Sequence, residues 1–489
     1  MDVEHGADRT TSTRSGDLLW PAMRVIDLLA NSTSVIQLPD GTKTDASDVA
    51  TRGRRLAECL RAEGLVTGDR VAVRLPNGLA YLEAIAGLAA ARLVLVSVNT
   101  RYSEAEVADL VRRSGARRVI DESVPNPLAE GSGRTIGQDD STGADPYLVF
   151  TTSGTTSKPK MVRHRQRSIA RHGVLAAEGF GYSPADVALI VMPFCGTFGL
   201  TSLMAALAAN STIVVADQFV VEHTAALIRD FGVTVVNGSD DMFHRLVEHG
   251  ADLSSIRLGG YARFNTSLDG IVARAEGAGA RLTGLYGMSE VQALFALRDP
   301  AATADARGLA GGTMVAVESE YRIVDGELEL RGPSLFDGYL LEGGSDIDEE
   351  LTGAHFDDGW FRTGDAAEAD DDRTFTYHTR IGDVLRLGGF LVAPAEIELA
   401  LIAVPGIDDA QVVAVDLPTG ARPVAFVIAP HGFDRDAAMD HCRTKLAKYK
   451  VPVRIIAIDE FPVTPSANGD KIQRTKLRDL ATAALRPDS

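Results

Sequence analysis

Residues 147–162 read YLVFTTSGTTSKPKMV: an apolar run, then seven small hydroxyl or glycine residues, then Lys158, Pro159 and Lys160. The run at 147–150 suits a buried strand. A loop of small hydroxyl residues around a glycine can turn its N–H and O–H donors inward as a nest for phosphate oxygens, with Lys160 adding a point charge. The GxxxxGK[ST] spacing is absent, so the loop is not of the Walker type. On composition alone a Ser/Thr/Gly loop is more often a linker.

Working outward, short apolar runs alternate with helical patterns. Residues 71–75 read as strand, 81–91 as an Ala-rich helix, 93–98 as strand, 104–114 as helix and 118–120 as strand. Parallel strands with helical crossovers produce this rhythm, so the fold class is α/β. Residues 187–216 carry no charged side chain and are long enough to span a bilayer. Pro193, Gly196 and Gly199 interrupt them, so they read as a strand (188–192), a loop, a helix (200–208) and a strand (212–216). Loops are expected at 121–145 and 342–358, whose acidic run is a solvated surface. Beyond about residue 315, two short runs flank Asp325-Gly326, a hairpin signal, and 374–378 forms another strand. After Arg380 comes a compact tail with strands near 411–415 and 424–428 and helices near 394–403 and 435–449. The expected architecture is a large N-terminal multi-sheet α/β domain at 17–380, including a small β-subdomain, and a small mobile α+β C-terminal domain at 381–489. Residues 1–16 lack an apolar core and read as a disordered leader.

The chain has 489 residues with a net charge of -18. That length exceeds what one core supports, and the acidity argues against a nucleic-acid groove. Three scattered cysteines, Cys59, Cys195 and Cys442, form neither a disulfide framework nor a zinc site. They fit a reducing cytoplasm.

The stretch TTSGTTSKPK resembles the phosphate loop of the adenylate-forming superfamily, which includes acyl- and aryl-CoA synthetases, peptide-synthetase adenylation domains and luciferases. Ser157 and Met161 stand where that pattern has Gly. Four further stretches follow in the family's order, and the resemblance spans roughly residues 15–480. It implies nucleotide contacts from Thr152, Ser153, Gly154, Thr155 and Thr156, with Thr155 also near the metal and Lys160 catalytic. GLYGMSE (284–290) resembles the aromatic-Gly-x-Thr/Ser-Glu motif. Through it Tyr286 packs beside adenine, with Gly287 and Met288 close by, Ser289 reaches phosphate and Glu290 holds Mg²⁺. A Glu after a Gly turn is, taken alone, usually a surface residue. DDGWFRTGD (357–365) places Asp365 on both ribose hydroxyls, although an Asp capping a turn would explain the residue equally well. The preceding stretch 326–339 reads as scaffold. RIGDVLRLGGFLVAPAEIE (380–398) places Arg380 on ribose or phosphate and opens the mobile domain. Its hinge position holds Gly382 where an acidic residue or Lys is usual, and Gly388 and Gly389 form the turn against the pantetheine arm of CoA. TPSANGDKIQRTKL (464–477) makes Lys471 the catalytic lysine, which bridges the attacking carboxylate and the α-phosphate.

The resemblance places Phe194, Gly196, Phe198, Asn237 and Gly284 at the acyl pocket and Gly260 and Tyr261 beside the nucleotide. Plain core packing is the competing reading, for Phe198 and Met288 especially. Gly196 replaces a customary aromatic residue or His that gates the pocket, and LGGYARFN (258–265) departs from the usual GGAPL form. The expected activity is ATP- and Mg²⁺-dependent conversion of an aryl or medium-length acyl acid to acyl-AMP, then transfer to CoA. A carrier-protein thiol, an amine or a small inorganic nucleophile is the alternative acceptor. A nucleotide-binding relative without catalysis is the third reading. No nucleic acid or membrane span is expected, and a homodimer is the base-rate expectation.

Overall fold

A computed structural model describes residues 23–123, 143–152, 159–264, 268, 270–344, 346–387, 390–392, 394–417, 420–464 and 471–485, with Lys471 described through its backbone. The leader at 1–16, the heart of the phosphate loop at 153–158 and the Gly388-Gly389 turn lie outside the described residues.

Two large sheets organise the N-terminal part. The smaller runs in the order Gly338–Tyr339, Met161–Arg165, Pro146–Thr151, Val94–Ser97, Arg70–Arg74, Arg118–Asp121. Its last four strands are parallel, joined by the expected helical crossovers Leu79–Ala90 and Glu104–Ser114. The second helix starts at Ser103 with a reciprocal capping box to Glu106 and ends on left-handed Gly115.

The larger sheet has a parallel half and an antiparallel half. The parallel half runs Val35–Gln37, Thr212–Val215, Val187–Ile190, Val235–Ser239, Leu258–Ala262, Leu282–Met288. From Leu282–Met288 the pairing turns antiparallel, through Gln292–Leu297 and Gly311–Met314 to Thr374–Arg380 and Trp360–Ala369. The hairpin Glu320–Val324 and Glu327–Arg331 closes the edge. Its turn residues Asp325 and Gly326 both have positive φ, 50° and 82°, the geometry a two-residue hairpin needs. Residues 187–216, uncharged throughout, fold as strand Val187–Ile190, helix Thr197–Ala208 and strand Thr212–Val215, each mostly buried. Among the described residues no helix is long and apolar enough to cross a membrane.

Helices Ala46–Ala62 and Leu79–Ala90 cross closely because glycines meet there: a Cβ on Gly53 would lie 2.3 Å from Ala86 Cβ. A main core holds both sheets together.

Beyond Leu385 the cores contain only residues of that segment. A three-stranded sheet, Asp409–Leu417, Gly420–Ile428 and Arg454–Ala457, buries both faces with period-two alternation. Ala410, Val412, Ala425 and Val427 pack under helices Pro394–Ile402 and Arg435–Lys445. Val413, Val415, Val424 and Phe426 pack under Arg474–Ala484. The helix expected to run to residue 449 ends at Lys445, where Leu446 turns extended.

Candidate active site

The phosphate-loop residues that are described form its neck. Strands Pro146–Thr151 and Met161–Arg165 pair antiparallel, and the Thr152 N–H donates to the Lys160 carbonyl at 2.9 Å. Buried Arg113 steadies the exit by donating to the Pro159 carbonyl at 2.7 Å while pairing with Glu342 at 2.8 Å. Ser153, Gly154, Thr155 and Thr156 lie outside the described residues.

Lys160 leaves this neck for the seam between the two sheets. Its Nζ lies 2.8 Å from His355 Nε2 and 4.7 Å from the centre of the Tyr339 ring. The Tyr339 hydroxyl donates to Glu290 Oε1 at 3.0 Å. Glu290 follows Leu282–Met288 and is only 5% exposed. Burial lowers the Lys160 pKa, and Arg380 adds to this, while Glu290 opposes it. Lys160, Glu290 and Arg380 therefore feel one another's charge.

Asp365 is a buried residue of strand Trp360–Ala369 and is opposite Arg380 in the neighbouring strand. Its carboxylate accepts from the Tyr286 hydroxyl at 2.6 Å and pairs with Arg380 Nε at 3.0 Å. Its backbone N–H donates to Thr363 Oγ1 at 3.0 Å, and the Arg380 guanidinium also donates to the Thr363 carbonyl at 2.5 Å. Burial pulls the Arg380 pKa down, but Asp365, Tyr286, Tyr377 and Glu290 outweigh it, so the guanidinium is held firmly charged. Tyr286 is pushed well up by burial and by the Asp365 charge, so it stays a donor. The position expected to pack beside adenine thus also holds the carboxylate, with its ring edge-on to Phe375 at 5.2 Å. Gly287 is exposed and Met288 half-buried at a register shift of the same turn.

Ser289 is anchored through its carbonyl, which accepts from His164 Nε2 at 2.7 Å. Burial lowers the His164 pKa to about 4. His172, in helix Gln166–Gly179, makes a similar buried tie between the Ala293 carbonyl at 2.7 Å and Ser334 Oγ at 2.8 Å, and burial lowers it to about 4 as well.

Four of the residues expected at the acyl pocket are buried in the packing of the fold. Phe194 is 1% exposed, packs edge-on to Tyr81 at 5.6 Å and donates its N–H to Asn77 at 2.7 Å. Phe198, 3% exposed, lies in the cluster with Phe180 and Leu285. Gly284 is demanded by backbone packing, since a Cβ there would lie 2.1 Å from the Leu309 carbonyl oxygen. Asn237 is consumed by a buried network, donating to Tyr182 at 2.8 Å and Ser202 at 3.0 Å and accepting from the Gly260 N–H at 3.2 Å. Gly196 caps helix Thr197–Ala208 and is buried. Tyr261 is 2% exposed and donates to the Gly308 carbonyl at 2.7 Å. With Asp240, Gly308 and Leu309 it borders a hollow of about 210 Å³, outside the carboxyl ends of two parallel strands, where open α/β sheets bind ligands.

Gly382 sits in the turn Ile381–Asp383, with nothing within 4 Å of where its Cβ would be. The Lys471 backbone pairs with Thr464 in a two-stranded hairpin. Three residues on, Arg474 pairs with fully buried Glu398 at 3.0 Å, and its Nε lies 3.8 Å from Asp383.

Tyr339, His355, His164 and Arg474 are residues the motif reading passed over. Tyr339 lay at the end of a stretch read as scaffold, and its aromatic-Gly context carried the only signal. His355 has none, because its partner is 195 positions away.

Comparison with known proteins gives the family of the chain. The model of the AMP-binding enzyme family matches residues 29–340, and that of the AMP-binding enzyme C-terminal domain matches 396–468. A 2-succinylbenzoate–CoA ligase of Listeria monocytogenes is 27% identical over 90% of this chain and 95% of its own length. A 3-[(3aS,4S,7aS)-7a-methyl-1,5-dioxo-octahydro-1H-inden-4-yl]propanoyl:CoA ligase of Rhodococcus jostii is 30% identical over 88% of this chain and 92% of its own. In fold, the chain superimposes on ATP-bound MatB from Rhodopseudomonas palustris with a TM-score of 0.82 at 22% identity, covering 95% of this chain and 100% of that one. A described seam that gathers Lys160, Glu290, Asp365 and Arg380, on a chain these models cover in order, places the protein in the AMP-binding enzyme family, as an AMP-forming acid ligase that activates a carboxylic acid with ATP.

Proposed function

We propose that the acyl-AMP made by this chain is passed to CoA, and that the acid is aryl or a medium-length acyl acid. Both relatives above are named as CoA ligases of acids carrying a ring, and the chain spans nearly their whole length. The observation that carries the site assignment is the charge cluster at the seam: two cations, Lys160 and Arg380, and two buried carboxylates, Glu290 and Asp365, within electrostatic reach of one another. An acidic chain concentrates cations in this way where it must hold a polyphosphate.

The roles follow from the chemistry. Asp365, with Arg380 against it, would accept the ribose hydroxyls, exchanging the Tyr286 donor for them. Lys160 would place its ammonium on the phosphate tail beyond the hydroxyl loop. Glu290 fits a magnesium ion, because its carboxylate supplies hard oxygen and only Oε1 takes the Tyr339 hydroxyl. Bound there, the ion neutralises phosphate charge that would otherwise repel a carboxylate nucleophile. The acid's oxygen attacks the α-phosphorus, the bond to the β-phosphate oxygen breaks and pyrophosphate leaves. Lys471 would offset charge built up in that in-line displacement. A thiolate then attacks the acyl carbonyl and AMP departs. We place the domain boundary at 380/381, with Gly382 as the hinge that re-orients 381–489 between the two steps and Gly388 and Gly389 assigned to the thiol channel.

Pyrophosphate exchange over a panel of acids identifies the activated acid. Mass spectrometry after adding CoA then detects the thioester. Acyl-AMP that accumulates while CoA is not consumed would overturn the CoA assignment and leave adenylation standing. The Lys471→Ala variant is expected to lose at least about 100-fold in exchange rate with ATP affinity nearly unchanged; undiminished exchange would remove Lys471 from the mechanism.

A further inference from the structure

We propose that His355 is a positioning residue for ATP: it holds the Lys160 ammonium at the mouth of the phosphate loop through its Nε2, and so sets the enzyme's preference for ATP over AMP. The inference rests on the phosphate role given to Lys160 above.

The imidazole is held on three sides. Nδ1 lies 2.8 Å from the Leu351 carbonyl, in the helix Glu349–Gly353 that precedes it. A carbonyl only accepts, so Nδ1 is the donor and Nε2 is left as an acceptor. Lys160 supplies the matching donor at 2.8 Å. The ring also stands edge-on to Tyr339, with centroids 5.1 Å apart at 69°. Lys160 lies over that same tyrosine ring, and the tyrosine hydroxyl holds Glu290. Strand Met161–Arg165 anchors Tyr339 directly, since Tyr339 pairs with Val162. One short chain of contacts therefore runs from Leu351 through His355, Lys160 and Tyr339 to Glu290.

This arrangement answers a problem of the site. Lys160 has four rotatable side-chain bonds and follows a run of small residues in the sequence. Left free, it would have to be ordered each time ATP binds, at a cost in side-chain entropy. A neutral acceptor on a fixed ring orders it beforehand without cancelling its charge, which a carboxylate in that place would do. The benefit is felt only by ligands that reach Lys160. ATP carries the β- and γ-phosphates and AMP does not.

Asn and Gln separate the two faces of the imidazole. Asn at 355 can reproduce the Nδ1–H donor to Leu351 but is too short to reach Lys160. Gln can reproduce the Nε2 acceptor for Lys160 but gives up the Leu351 bond. Calorimetric titration of the full-length protein with ATP plus Mg²⁺, and separately with AMP, needs no knowledge of the acid. The His355→Asn variant should bind ATP about tenfold more weakly and AMP as the wild type does, while His355→Gln should hold both affinities within about threefold. A merely structural role predicts the reverse order, with AMP affected as much as ATP. Equal ATP affinity in the two variants, or loss of AMP binding in parallel, would overturn the proposal. Lys160→Met tests the underlying reading separately. If it leaves ATP affinity unchanged, the phosphate role of Lys160 fails; if it weakens ATP but His355→Asn does not, only the positioning role fails.

Discussion

Asp365, proposed above to take the ribose hydroxyls, shows at the scale of one residue how a buried carboxylate is held. It is 3% exposed, and a buried carboxylate without donors is costly. Tyr286 and Arg380 supply them, at 2.6 and 3.0 Å. Tyr286→Phe removes the shorter contact without changing the ring that packs on Phe375. The variant should lose about 1–3 kcal/mol of stability, read as a lower urea midpoint at unchanged slope. Adding AMP should recover part of the loss, because ribose hydroxyls replace the missing donor. A midpoint equal to the wild type would show that Tyr286 does not support Asp365. Tyr339→Phe is the matching change at Glu290, and its urea midpoint should fall by a similar amount, since Glu290 is equally buried.

At the scale of elements, the sequence was readable wherever a local rule set the outcome. The helix at 104–114 was read to the residue because its cap, Ser103 with Glu106, is written locally. Asp325-Gly326 gave the hairpin for the same reason. Asp365 and Lys160 are singled out by spacing within a motif. At Phe194 and Phe198 the sequence leaves core and pocket wall undecided, because helical and strand periodicity reports which side chains are apolar, and both settings share that property. What covers such a side chain depends on contacts far apart in sequence, such as that of Phe194 with Tyr81 across more than a hundred positions. His355 was missed for a related reason, its meaning being supplied by Lys160 from another sheet. The turn Ile381–Asp383 allows a prediction at this scale. A Cβ on Gly382 meets nothing within 4 Å, so Gly382→Ala should fold as stably as the wild type, or up to about 1 kcal/mol better. Any change in activity then reports a different backbone conformation at the hinge. Adenylation should stay within about threefold, while thioester formation falls about fivefold or more if the second state uses a left-handed glycine. Equal rates in both half-reactions would mean that the glycine is not the hinge.

The whole molecule is joined across its two sheets by buried neutral histidines, and this makes its stability depend on pH. His164 reaches from Met161–Arg165 to the Ser289 carbonyl, and His172 reaches from helix Gln166–Gly179 to Ala293 and Ser334. Burial depresses both to about 4, against about 6.5 in an unfolded chain. Between those values the unfolded chain binds more protons than the folded one, so stability rises with pH through that window. The contribution is fully present above about pH 6.5 and is lost as pH falls towards 4, on the order of 3 kcal/mol for each histidine. Asp186 behaves differently. Burial raises it, but hydrogen bonds from Arg257, Thr234 and Ser183 prevail and lower it to about 2. Its contribution therefore fades only below about pH 4. Thermal midpoints measured at pH 7, 5.5 and 4.5 should fall steadily across the histidine window. His172→Gln should start from a lower midpoint at pH 7 and show a shallower fall, because one of the two titrating groups is gone. An unchanged slope would assign the acid sensitivity elsewhere. Since His164 holds the turn that carries Ser289 and Glu290, ATP affinity should decline over the same interval, before the fold as a whole gives way.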